Sequence, residues 1–141
     1  MGLRVARVAA AVLTVPYVVL LVAYTFTPET IPNLGDPEYN LIPLRSVIDQ
    51  ANSGNGAEEF VRQIGGNFVL LLPLGIVLGI FGLSTGRAVL VVVATAVLIE
   101  LLQYALVSSR SADIDDALLN IVGGLVGLFV GWGAARALSA R

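Results

Sequence analysis

Residues 88–107 read AVLVVVATAVLIELLQYALV, an apolar run in which Glu100 is the single charged residue. As a helix it is about 30 Å long, the thickness of a bilayer's hydrocarbon core. Three more stretches share this character, from about Val8 to Phe26, Ile64 to Leu83 and Ala117 to Leu138. Apolar side chains go all the way round each of them, the pattern of a lipid-embedded helix rather than of an amphipathic surface helix. Arg4 and Arg7 precede the first stretch as in a signal peptide, but its 19 residues exceed the usual h-region of about 7–15. Thr27-Pro28-Glu29 follows instead of a small-residue cleavage site, so a retained span is expected.

Composition agrees. The 141 residues are 57% hydrophobic and 13% charged, against about 25% charged in a soluble domain. There is no Cys and no His, which excludes a disulfide scaffold, the usual zinc, haem and thiolate chemistry, and any nucleophile activated by imidazole. A net charge of −2 excludes a basic nucleic-acid binder. The expected fold is an all-α integral membrane bundle of four transmembrane helices, forming one domain over residues 1–141. The bilayer is its first partner.

Orientation is read from the arginines of the connections. With the N-terminus inside, the cytoplasmic side holds Arg4, Arg7, Arg87, Arg136 and Arg141 and no acid. The outer side holds Arg45, Arg62 and Arg110 with nine of the ten acids. Both termini are therefore expected to be cytoplasmic. Tyr24, Phe26, Phe68 and Tyr104 then fall toward the outer interface and Trp132 toward the inner one. One long extracellular connection, Thr27 to Gln63, joins the first two spans. Within it Leu44–Ala51 and Ala57–Gln63 are expected as short interfacial helices, and the patch Tyr39-Asn40-Leu41-Ile42-Pro43-Leu44 is expected against the outer ends of the bundle.

The polar residues of the spans form the candidate site. Glu100 and Gln103 lie three apart, about 60° from one another on one helical face. An ionised carboxylate at this depth needs a partner, a proton or water. In the fourth span Asp116 and Asn120 lie about 60° and 20° from Asp113, whereas Asp115 is about 160° away and is expected to be only a solvated first-turn acid. Asp113 and Asp116 also suit an N-cap and its N3 position. Gly123, Gly127 and Gly131 continue the same face as a small-xxx-small packing stripe. The second span adds Asn67, then Pro73, which frees the carbonyl of Val69 and is expected to kink the helix, followed by Gly75, Gly79 and Gly82. Asn67, Glu100, Gln103, Arg110, Asp113, Asp116 and Asn120 thus converge in the outer third of the membrane, as one pocket open to the outside.

At these residues the chain resembles the VanZ-like family. The shared pattern is Glu100-x-x-Gln103, then Arg110-x-x-Asp113-x-x-Asp116-x-x-x-Asn120-x-x-Gly123-x-x-x-Gly127, without a gap. Asn67, Pro73 and Gly75 match an earlier element, and Asn40-Leu41-Ile42-Pro43 another. Ser109 departs from the family's usual Gly, which touches only the turn before Arg110. The family takes its name from a protein that raises resistance to the glycopeptide teicoplanin. The resemblance implies a multi-pass bacterial cell-envelope protein linked to reduced glycopeptide or lipoglycopeptide action, and it supplies no reaction.

Three functions follow as expectations. The first is an accessory membrane protein whose outer pocket engages an envelope lipid, cell-wall precursor or glycopeptide headgroup, without a cofactor. The second is a membrane enzyme acting on a lipid-linked precursor. It would use Glu100 as general acid or base, with Asp113 and Asp116 as further catalytic candidates or as oxygen ligands to a hard cation such as Mg²⁺. The third, an ion or proton translocator, is disfavoured because no polar group lies deep in the inner half.

Overall fold

In a computed structural model the chain is all-α. The structure describes residues 2–27, 40–52, 61–107 and 112–140. Helix α1 runs Gly2–Thr25, α2 Arg45–Asn52, α3 Gly66–Leu70, α4 Leu72–Phe81, α5 Thr85–Leu106 and α6 Ile114–Ser139; a π-helical turn, Val61–Gly65, leads into α3. Three of these, α1, α5 and α6, are long and apolar enough to cross a membrane, and Gly66–Phe81 is a shorter apolar segment. Their outer surfaces are lined with exposed Val, Leu and Phe, such as Leu20, Leu90, Leu98, Leu101 and Phe129. A water-soluble helix would cover this area with charge; lipid does not require it.

The second apolar stretch is not one helix. It is interrupted at Leu71, two residues before Pro73. Proline has no N–H for the helical ladder and its ring crowds the preceding turn, so the interruption falls at the expected kink. Two features stabilise it. The Tyr17 hydroxyl of α1 donates to the Leu70 carbonyl at 2.9 Å, and the Leu71 side chain is fully buried against Ala96 and Ile99 of α5. Helix α4 then ends at Gly82, whose left-handed φ of 74° suits a glycine C-cap, with Leu83 N–H donating back to the Leu78 carbonyl.

The most extensive helix contact is between α4 and α6. It is a contact of backbones. A Cβ on Gly75 would come within 1.9 Å of the Gly124 carbonyl oxygen and one on Gly127 within 2.0 Å of that of Leu72; the seam continues onto α3, where one on Gly123 would come within 1.8 Å of the Phe68 carbonyl oxygen. Without side chains in the seam, dispersion and close dipole contact hold the helices together where no hydrophobic drive acts between them. The bundle therefore has two ends. At one, α1 and α5 finish while α3 and α6 begin; at the other lie the start of α1 and the ends of α4 and α6.

Candidate functional site

Helix α2 begins on a residue that cannot cap it. Leu44 occupies the N-cap position, offers no side-chain acceptor, and has φ 66°, a left-handed conformation unusual for leucine. The acceptor comes from the start of α6. Asp115 Oδ1 accepts from Leu44 N at 2.5 Å, and Oδ2 accepts from Ser46 N at 2.9 Å and Val47 N at 3.5 Å. The expected solvated acid is thus a correction: Asp115 is 2% exposed. A carboxylate at a helix N-terminus meets unpaired N–H groups and the positive end of the dipole, which is why it is held here rather than hydrated.

The cap is returned. Asn40 pairs with Asp113 in an isolated parallel bridge, its N–H donating to the Ala112 carbonyl at 3.0 Å and its carbonyl accepting from Ile114 N at 2.9 Å. Asp113 is the N-cap of α6, accepting from Asp115 N at 2.9 Å. The same Oδ1 accepts from Asn40 Nδ2 at 2.9 Å, while Oδ2 accepts from the Ser46 hydroxyl at 2.5 Å. The start of α6 therefore supplies the carboxylate acceptors, and the segment before α2 returns one, the Asn40 carbonyl, to the first N–H of α6. The segment from Asn40 to Val47 is clasped over the end of the bundle, as the Asn40–Leu44 patch was expected to lie; Tyr39 and Ala57–Phe60 fall outside the described residues.

Beneath the clasp lies a second polar layer. Asp113 N donates to Glu100 Oε1 of α5 at 3.3 Å, joining the third and fourth apolar stretches. Asn67 is buried on α3, and its Nδ2 donates to Asp116 Oδ1 at 2.5 Å. Gln103 is buried one turn beyond Glu100 on α5. Asn120 is 1% exposed, and its Oδ1 has no hydrogen-bond partner among the described residues. Gly123, the next residue on this face, sits against Phe68 and begins the packing seam. Arg110 lies outside the described residues.

The structure thus brings together Asn67, Glu100, Asp113 and Asp116, with Asn120 on the next turn of α6 and Gln103 beside Glu100. It also divides them. Asp113 is engaged on both oxygens by the fold, with Oδ1 accepting from Asn40 and Asp115 and Oδ2 from Ser46, so most of its acceptor capacity is already taken. Among the described residues no three carboxylates are arranged to hold a metal ion. Glu100, Asp116, Asn67, Gln103 and Asn120 form the layer that faces the interior. Sequence reasoning passed over Asn40, Ser46 and Asp115 as functional positions. The available signal was the missing cap: a short helix that starts on Leu44 must find its acceptor on another element.

The sequence matches the family described as VanZ/LLP1 over residues 14–135. This region includes every residue of the clasp and the polar layer. No curated protein and no solved structure matches the chain.

Proposed function

Because the chain belongs to the VanZ/LLP1 family, we propose that it is a four-span protein of the bacterial cell membrane, with both termini cytoplasmic and the clasped end facing outward. The arginine bias of the connections supports this orientation. The exposed Leu41, Ile42 and Leu44 of the clasp and Ile48 of α2 suit a segment resting in the membrane interface. In this reading the polar layer engages the headgroup of an envelope lipid, cell-wall precursor or glycopeptide, and so lowers teicoplanin-type action.

The observation that carries the proposal is the buried Asn120 Oδ1. An unsatisfied amide oxygen costs about 1–3 kcal/mol in a protein interior, and one turn before it on α6 stands Asp116, which accepts from Asn67. A hydroxyl or amide N–H of a headgroup supplies the missing donor. Arg110, next to the layer in sequence, is the residue proposed to meet a headgroup anion. The test is teicoplanin and lipoglycopeptide susceptibility of a sensitive host expressing the chain. Susceptibility should fall with the natural sequence and return with Asn120→Leu, Glu100→Gln or Arg110→Ala at equal membrane abundance. An unchanged susceptibility with the natural sequence rejects the resistance role.

A further inference from the structure

The opposite end of the bundle holds a cleft of about 490 Å³ between the first turns of α1, the end of α4 and the last turns of α6. Its walls include Leu3, Arg7, Ile80, Trp132, Arg136 and Ser139. Arg7 Nε donates to the Ile80 carbonyl at 3.3 Å, which seats the guanidinium at the end of α4. This leaves the Nη groups of Arg7 and the whole of the Arg136 guanidinium without a carboxylate partner among the described residues. No acid is among the described residues that line the cleft. The sequence has none before Glu29, none between Glu59 and Glu100, and none after Asp116.

We infer that this cleft is a binding site for an anionic phospholipid, with its phosphate between Arg7 and Arg136. Planar guanidinium forks match phosphate oxygens. The aliphatic walls of Leu3 and Ile80 accept the glycerol and first acyl carbons, and an indole at this level is the side chain that sits at ester depth. A soluble phosphate has no use for those apolar walls. The same absence sets the headgroup: the ammonium of a zwitterionic lipid finds no side-chain carboxylate among the described residues of the cleft, so a net-negative lipid is preferred. The site lies at the far end from the polar layer and needs no assumption about which leaflet it faces.

The test uses the full chain in nanodiscs or detergent, with retention of phosphatidylglycerol and phosphatidylethanolamine read by native mass spectrometry. Phosphatidylglycerol should be retained preferentially. Loss of each guanidinium, in Arg136→Gln and in Arg7→Gln with Arg136→Gln, should weaken it roughly fivefold per charge. Arg136 makes no side-chain hydrogen bond among the described residues, so Arg136→Gln keeps the test decisive if the Arg7 variant does not fold. Arg4→Gln with Arg87→Gln removes equal charge outside the cleft and should leave retention unchanged. Equal loss in that control, equal retention of the two lipids, or displacement by inorganic phosphate overturns the inference.

Discussion

At one end of the bundle Asp113, Asp115 and Asp116 all accept hydrogen bonds from other elements; at the other, Arg7 gives one bond to a helix end and Arg136 gives no described side-chain bond. The difference follows from side-chain length and location. A carboxylate on one or two methylenes stays near its own backbone, so at a buried helix start it must be satisfied by the N–H groups and amides around it. A guanidinium on three methylenes reaches past apolar surface to water or headgroups and can remain open. Acidity at the first end has become architecture, while the basic charge of the second end is available for binding.

Substitutions at three places, two of them with a comparison variant, break or sharpen this contrast. The largest effect is expected from Asp115→Ala, which strands the N–H groups of Leu44, Ser46 and Val47. It should cost about 3 kcal/mol in detergent unfolding and speed proteolysis within residues 40–52. Asp115→Asn keeps one of the two acceptor oxygens and turns an amide donor toward the remaining N–H groups, so it should recover only part of that loss. Natural-like stability of the alanine variant would show that the clasp is held elsewhere.

Gly123→Ala comes next, because the added Cβ meets the Phe68 carbonyl oxygen at 1.8 Å and the helices must part. A loss of about 2 kcal/mol is expected. Gly133→Ala is its control, since nothing lies within 4 Å of that position; better helix propensity should make it neutral or slightly stabilising. Equal losses at the two glycines would deny the seam its role. The smallest effect is Tyr17→Phe, which removes the donor to the Leu70 carbonyl. About 0.6 kcal/mol should be lost, the usual worth of such a bond between membrane helices. A larger loss would mean that the interruption at Leu71 depends on that hydroxyl.

The long helices were legible at once. Residues 88–107 and 117–138 correspond to α5 and α6, whose observed bounds are Thr85–Leu106 and Ile114–Ser139. The start of α6 at Ile114 has Asp113 as the cap and Asp115 and Asp116 in the first turn, as the spacing of the acids suggested. The short helix expected at Leu44–Ala51 is α2, Arg45–Asn52. The polar face of α6 could be drawn from angular spacing alone. That procedure dismissed Asp115, since the helical wheel shows which face a residue occupies and not which distant segment covers that face.

Hydropathy and charge by themselves determined an all-α chain with apolar helices of membrane length, a polar cluster toward one end and arginines toward the other. These properties are local: transfer of apolar side chains and the cost of charge in hydrocarbon depend on each stretch alone. Tertiary structure decided which acids bind the fold together and which polar groups still face the interior. It also decided that Arg7 and Arg136 share one cleft. Hydrogen bonds need partners at about 3 Å, and for Asp115 those partners are 68 to 71 residues away.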